Sequence, residues 1–183
     1  MQPIRATLTT MLLLSTALLG GAGGVARAQA LPGPTDIPSS ILLSHNSDID
    51  RLTQLTHRAG PLGVAAEKAL DLLKRHHRRE VEYILPPLTL VPALASGKAS
   101  PEMRWAIDMS DKVKANREEI FQEHVAITEV MTALRVEAQK VDDLDAAEFA
   151  EDAVADSVAD MEIQEPTSVL VGEILRARLG IAK

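Results

Sequence analysis

The sequence predicts an all-α protein, built as an antiparallel four-helix bundle with a short extra C-terminal helix. Its composition favours helices over sheets, because the stretches between prolines are dense in Ala, Leu, Glu, Lys and Arg and only 2% of the residues are aromatic. Its spacing favours a bundle, because four long apolar-periodic segments follow one another with short connections. At 183 residues the chain is long enough for one such domain and too short for two ordinary ones.

Prolines, glycines and capping residues mark the ends of the predicted elements. Gly60-Pro61 ends the first helix, and the second and fourth helices are expected to stop at Pro86-Pro87 and at Pro166. Ser100-Pro101-Glu102 has the composition of a helix start, with a capping serine, a proline in the first turn and an early acid. We therefore predict helices at about 39–58, 62–85, 101–140, 145–165 and 167–179.

The N-terminus has the composition of an export signal. One positive charge in the first five residues precedes an uncharged run of about 14 residues from Ala6 to Leu19, and Ala26-Arg27-Ala28 offers small residues at the cleavage spacing. The run is shorter than the roughly 20 residues that cross a bilayer. We predict a signal peptide at residues 1–28, cleaved after Ala28 or Ala30, a linker at 29–38, and a periplasmic or secreted bacterial product without a stable membrane span. A retained membrane anchor is the alternative.

Cysteine content and net charge exclude several classes of protein. The chain contains no cysteine, so disulfide scaffolds, thiolate zinc sites, iron–sulfur clusters and cysteine nucleophiles are excluded. Its formal net charge of -7 argues against nucleic acid as a partner. A Gly-rich phosphate loop, a Gly-x-Ser-x-Gly motif and a dinucleotide fingerprint are absent after the signal, so the sequence gives little support for an enzyme. Any metal must be held by nitrogen and oxygen.

Each of the four main helices carries a histidine or an acid on its apolar face at 100° per residue. These residues are His45 on the first helix, His76 and Glu80 on the second, His124 on the third, and Asp156 and Asp160 on the fourth. A carboxylate such as Glu80, buried without a partner, would lose several kcal/mol or take up a proton, so it needs a cation or donors. Convergence from four helices favours a shared metal site. Taken singly, each residue fits a hydrogen-bonded core position better than a metal site.

Three other candidates lie at the edge of this pattern. Glu82 points to the solvent side of the second helix, and His57 lies at the end of the first helix, so both are expected at the surface. His77 borders the apolar face, where ligation and a supporting role are equally compatible with its position.

The run from Leu73 to Pro86 carries a His at 76, a Glu four residues later and a Pro ten residues later. This spacing resembles the hallmark of the hemerythrin-like (HHE cation-binding) family, which repeats the helix pair. The run from Asp156 to Pro166 has the same plus-four and plus-ten spacing and resembles a diverged second copy. Ser44-His45 and Glu123-His124 resemble the lone histidines that open each half. The resemblance covers about residues 39–166, and residues 167–183 would form a helix that packs on the bundle.

The resemblance implies a non-haem di-iron centre with His45, His76, Glu80, His124, Asp156 and Asp160 as its ligands. It also implies a protein that binds iron, together with dioxygen, peroxide or nitric oxide, as a carrier, sensor or scavenger, and it leaves slow redox catalysis at the di-iron centre open. With the predicted signal peptide, this metal-binding protein would be exported. The sequence departs from the family at Asp156, where the family usually has His. The added negative charge favours harder cations such as ferric iron or manganese, and Mn or Zn remains compatible with the donors.

The alternative hypothesis is a metal-free helical bundle that acts as a protein-interaction module in the periplasm. In it the histidines and aspartates would hydrogen-bond one another. Residues 141–175 contain eleven acids and no Lys or Arg, whereas the second helix carries a basic outer face, so charge complementarity would support an interaction or self-association. The sequence leaves the oligomeric state open.

Overall fold

A computed structural model describes residues 31–182, which fold into helices, turns and short connections and confirm the predicted all-α class. The predicted signal peptide, residues 1–28, lies outside the described residues. Residues 31–38, the described part of the predicted linker, lead into the first helix without regular secondary structure. Within residues 31–182, no helix combines the length and apolar character of a membrane-spanning segment.

The described residues form eight α-helices, two π-helical turns and one 3₁₀ turn. The α-helices are α1 (Ser39–Thr56), α2 (Pro61–Arg79), α3 (Leu85–Leu88), α4 (Val91–Ala95), α5 (Trp105–Ala115), α6 (Arg117–Lys140), α7 (Leu144–Ala159) and α8 (Glu165–Leu179). The first π-turn (Glu80–Ile84) joins α2 to α3, the second (Asp160–Gln164) joins α7 to α8, and the 3₁₀ turn (Pro101–Met103) precedes α5. Helix α1 packs against α2, α2 against α6, α6 against α7, and α5 against α8.

The prediction that prolines end the second and fourth helices is wrong. The helical path continues through both sites, because each proline follows a π-turn and lies in the first turn of the next helix, where its missing N–H is not needed. In the two π-turns the carbonyls of Glu80 and Asp160 accept hydrogen bonds from the backbone N–H groups five residues on, at Leu85 and Glu165. The C-terminal helix is therefore a continuation of the fourth helix rather than a separate element beginning at Thr167.

The predicted third helix is divided in two at Asn116. This residue has φ −105° and ψ 12°, outside the helical region, and its side-chain amide donates a 2.8 Å hydrogen bond to the carbonyl of Lys112. An Asn that bonds the backbone in this way competes with the regular helical ladder. The helix resumes at Arg117, and Ile120 N–H donates to the Asn116 carbonyl.

Apolar cores lie on either side of a polar layer along the long helices. The largest core contains buried residues of α1, α2, α6 and α7, including Leu52, Leu73, Met131 and Ala150. Of the two smaller cores, one joins α4, α5 and α8, and the other contains Tyr83 and Ile84 of the first π-turn together with Val113 and Ile120. Between the cores lie buried polar residues of α2, the first π-turn, α6, α7 and α8, namely His76, Glu80, His124, Ser157 and Glu165. Two further buried serines, Ser110 and Ser168, lie on α5 and α8.

Candidate metal centre

The centre is built on Glu80, the first residue of the first π-turn, whose side chain is only 2% exposed. Its Oε1 lies 3.3 Å from His76 Nε2, one helical turn earlier, and its Oε2 lies 3.5 Å from His45 Nε2 on α1. Glu80 was predicted to need cationic or hydrogen-bond partners inside the apolar face. The imidazoles of two helices approach its two oxygens, so its carboxylate occupies the middle of the cluster.

Two groups of potential ligand atoms share this carboxylate. His45, His77 and Glu80 form one group, and His76, Glu80 and Asp160 form the other, with the ligand atoms of each group within 4.8 Å of one another. Asp160 enters from the second π-turn, so the centre joins α1, α2 and the start of that turn. Glu80 is the member that both groups contain, and a carboxylate has two oxygens with which to serve both.

Several nitrogen and oxygen atoms of this cluster have no hydrogen bond. Among the described residues, His45 Nδ1, His76 Nε2, His77 Nδ1 and Glu80 Oε2 are buried and make none. Buried polar groups are nearly always paired, and leaving one unpaired costs about 1–3 kcal/mol. Of these atoms, His76 Nε2 and Glu80 Oε2 face the ion-pair contacts with Glu80 and His45, whereas the two Nδ1 atoms have no contact of this kind. Deprotonated imidazole nitrogens and carboxylate oxygens bind borderline and hard metal ions. The donor set therefore fits a metal centre of nitrogen and oxygen ligands.

His76 has the supporting contact that metal-binding histidines commonly have. Its Nδ1 lies 3.5 Å from Glu123 Oε2, which accepts from it, while Nε2 faces Glu80. Arg79 holds Glu123 in turn, with Nη2 3.3 Å from Glu123 Oε1 and 2.5 Å from Glu119 Oε1. A carboxylate behind a histidine fixes its orientation and makes the other nitrogen a better ligand. Sequence reasoning did not assign Glu123 a role, although it stands next to His124 in the quoted motif.

Charge within the cluster is uneven. Burial opposes the charged form of His76, but its contacts with Glu123 and Glu80 outweigh burial and raise its pKa to about 10. Burial likewise opposes the charged form of Glu80, and the neighbouring His76 and His45 outweigh it and lower the Glu80 pKa. His76 and Glu80 are thus an imidazolium and a carboxylate when no metal is bound. A metal ion would replace the proton of His76.

His45 and His77 stack as neutral rings. Their centroids lie 4.0 Å apart with an interplanar angle of 12°. Burial lowers the pKa of His45, and burial followed by the repulsion of His45 lowers that of His77 to about 4. Neutral imidazoles are the form that binds metals. His77 was left outside the predicted ligand set, but its position at the border of the apolar face was the signal that could have included it.

Asp160 lies beside Glu80 and shares its negative environment. Burial and then the charge of Glu80 raise its pKa to about 7. The side-chain amide of Gln164 donates to Asp160 Oδ1 across the second π-turn. Two carboxyl groups in one buried cluster repel each other unless a cation or a proton lies between them.

The structure brings His124 to the cluster but occupies both of its nitrogens. Nδ1 shares a 2.9 Å hydrogen bond with the Ser157 hydroxyl, and Glu165 Oε1 accepts a 2.7 Å hydrogen bond from Nε2. The ring is fully buried and meets His76 edge-on, with centroids 4.5 Å apart. Neither nitrogen offers a free lone pair in this arrangement. Ser157 and Glu165 are buried partners that the sequence analysis did not include among the candidates.

Asp156 lies at the surface rather than among the gathered ligand atoms. Its residue is exposed, and it lines a cleft of about 320 Å³ that also contains Asp48, His76, His77 and Asp160. Burial, and then the charges of Asp156 and Glu80, raise the pKa of Asp48 to about 6. The cleft is thus an acidic opening above the centre.

Two residues assigned to the surface are there. Glu82 has a side chain that is 66% exposed and lies 3.4 Å from Lys112 Nζ, and His57 is exposed beyond the end of α1. Both were left out of the predicted ligand set. Glu80 and Glu82 are two residues apart on one π-turn, so this pair offers a buried and an exposed carboxylate for matched experiments.

No protein-family model, curated protein or solved structure matches this chain. The candidate centre is therefore defined by its own side chains, four from α1, α2 and the first π-turn and one from the second π-turn.

Proposed function

We propose that the chain is a metal-binding protein with a dinuclear, non-haem centre, of the hemerythrin-like kind that its sequence resembles. The observation that carries the proposal is the position of Glu80 in both ligand groups. His45, His77 and Glu80 would hold one ion, and His76, Glu80 and Asp160 would hold the other. A carboxylate shared by the two groups would place a negative charge between two metal cations and so reduce their mutual repulsion.

The donor set favours iron, with manganese and zinc as chemically compatible alternatives. Three imidazoles and two carboxylates offer nitrogen and oxygen atoms of the type that all three metals accept. A pair of irons held in this way would supply one-electron chemistry toward a small ligand such as dioxygen, peroxide or nitric oxide. The cleft would give such a ligand access to the centre. The contacts of His76 with Glu123 and with the ring of His124 would keep its imidazole in place.

The proposal includes the bundle and the export of the protein. Helices α1, α2, α6 and α7 share the largest core and would form the four-helix bundle, with α8 continuing beyond it. The export signal in residues 1–28 would deliver the protein to the periplasm or the exterior. The alternative is a metal-free interaction module, which would pair its histidines and carboxylates with one another, as in the contacts of Glu80 with His45 and His76. Among the described residues, His45 Nδ1 and His77 Nδ1 are buried without a hydrogen bond, and these two atoms favour the metal centre.

Metal stoichiometry tests the proposal. The full chain, stripped with a chelator and reloaded with Fe²⁺ under anaerobic conditions, is expected to bind about two ions per chain by elemental analysis. Mn²⁺ and Zn²⁺ loaded in parallel would identify the preferred metal. Less than about 0.2 equivalents of every metal would overturn the proposal and favour the interaction module.

A further inference from the structure

The cleft above the centre is acidic along its depth. Asp156 is exposed at its rim, Asp48 is half-buried, and Asp160 lies deeper beside Glu80. Ser40, Ser44 and Gln164 add neutral oxygen atoms to the wall. Among the lining residues of the described chain there is no Lys or Arg. A cation entering the cleft therefore meets carboxylates at each depth.

The carboxylates of this path are close enough to act on one another. The pKa of Asp48 is raised to about 6 by burial, then by Asp156 on α7 and then by Glu80 at the centre. Asp48 is thus half-buried in the wall of the cleft and interacts electrostatically with both the rim carboxylate and the buried one. Acids that repel one another at this range gain from a shared cation.

A second, independent feature points inward from the same cleft. His76 lines the cleft although it is only 2% exposed, and its Nε2 faces Glu80 Oε1 at 3.3 Å. His45 and His77 line the cleft beside it, and the Nδ1 atom of each is buried and makes no hydrogen bond within the described residues. The path of acids therefore ends at the buried centre, next to two ligand atoms that lack a partner. A surface patch of solvated carboxylates would have no such end point.

We propose that Asp48 and Asp156 form an outer capture site that takes a hydrated divalent cation from solvent and passes it to the Glu80 centre. The inference rests on the proposed metal-binding function and adds a role outside the ligand set. Asp156 then acts at the opening rather than as a ligand of the centre. Carboxylates and hydroxyls suit this step, because they bind hydrated Fe²⁺ or Mn²⁺ weakly enough to release it. Clefts lined by one sign of charge raise association rates by about 10-fold to 10³-fold.

Loading kinetics test the capture site. The metal-free full chain is mixed with Co²⁺ in a stopped-flow instrument, and the visible absorption of the bound ion is followed at low and high salt. The double variant Asp48→Asn, Asp156→Asn is expected to load about tenfold more slowly at low salt, with a weaker salt dependence and the same final stoichiometry. The matched control is Asp50→Asn, Asp152→Asn, which removes two exposed acids from the same helices outside the cleft and is expected to stay within about twofold of the parent rate.

Each result separates the capture site from the centre. Equal rates for the double variant and the parent, or equal slowing by the control pair, would overturn the capture site while leaving the centre intact. A lower final stoichiometry in the double variant would overturn it in favour of direct ligation by Asp48 or Asp156. Failure of the parent chain to bind Co²⁺, or unchanged binding by Glu80→Gln, would instead overturn the proposed metal-binding function and the capture site with it.

Discussion

The two halves of the chain share the plus-four and plus-ten spacing of the motif but differ in the potential metal ligands that they supply. The first half, α1 with α2 and the first π-turn, supplies His45, His76, His77 and Glu80 to the ligand groups, whereas the second half supplies Asp160 alone. Each half opens with a histidine on its first helix and ends with a carboxylate at the start of a π-turn. The sequence spacing is therefore repeated in the second half, but the set of potential metal ligands is not.

Three substitutions between the halves account for the difference. Positions 76, 77 and 85 carry His, His and Leu in the first half, and the equivalent positions 156, 157 and 165 carry Asp, Ser and Glu. Ser157 and Glu165 bind the two nitrogens of His124, whereas His45 keeps a buried Nδ1 without a hydrogen bond among the described residues. His45 and His124 thus occupy corresponding places in the two halves, but only His45 keeps a ring nitrogen without a hydrogen bond among the described residues. The side chains of the facing helix decide which of the two cases applies.

Removing the shared carboxylate is expected to have the largest effect. Glu80→Gln keeps the shape of the side chain but removes the charge common to both ligand groups, so both ions should be lost or bound at least about 100-fold more weakly. Elemental analysis after reloading and calorimetric titration measure this. Glu82→Gln, two residues away and exposed, is the matched control and should bind like the parent. Two ions retained by Glu80→Gln would contradict the shared role of this residue.

Removing a ligand that belongs to one group only should remove one ion. Asp160→Asn leaves His45, His77 and Glu80 in place, and it is expected to lower the stoichiometry from about two ions to about one. His45→Gln should do the same for the other group. If either variant lost both ions or neither, the division into two groups around Glu80 would be wrong.

A change at His124 distinguishes the second half from the first. His124→Phe keeps an aromatic ring but leaves Ser157 and Glu165 buried without their partner, so the free energy of unfolding should fall by about 1–3 kcal/mol. Metal stoichiometry should stay near two, because both His124 nitrogens are engaged elsewhere. Urea unfolding of the metal-free chain and elemental analysis measure the two effects. An ion lost with little change in stability would restore His124 to the ligand set implied by the resemblance.

The sequence predicts the helical class and part of the centre, because both follow from periodicity. A period of 3.6 places His45, His76, Glu80 and Asp160 on inward faces, and these four belong to the gathered ligand groups. Periodicity does not reveal that Ser157 and Glu165, 33 and 41 residues from His124, occupy its nitrogens. That pairing depends on how α6 meets α7 and α8 in three dimensions.

The errors in the helix ends have a local cause. A proline in a sequence normally predicts the end of a helix, since it lacks an N–H and clashes with the preceding turn. Here a π-turn precedes Pro86 and Pro166 and changes the register of the ladder, and nothing in a helical pattern of apolar residues predicts such a turn. The π-turn also changes which side chains face inward beyond it. Glu165, at the end of the predicted fourth helix, is therefore buried in the structure at the start of α8.

The pH dependence of metal affinity needs no substitution to measure, and it again separates the halves. In the metal-free chain, the pKa of His76 in the first half is raised to about 10, and that of Asp160 in the second half is raised to about 7. Binding displaces the proton of His76 at every pH below about 10, so affinity should rise about tenfold per pH unit between pH 7 and 9. Below pH 7 Asp160 is also protonated, and the slope should steepen toward two displaced protons.

Competition with a chelator for Mn²⁺ at several pH values measures these slopes. In Asp160→Asn, whose remaining ion would lie in the group of His45, His77 and Glu80, both contributions should disappear, because neither His76 nor residue 160 then loses a proton to a metal. The low pKa of His77, about 4, and the lowered pKa values of His45 and Glu80 leave that group ready to bind without releasing protons near neutral pH. A slope that persists unchanged in Asp160→Asn would show that the titrating groups serve the other ion, and the assignment of His76 and Asp160 to one ligand group would fail.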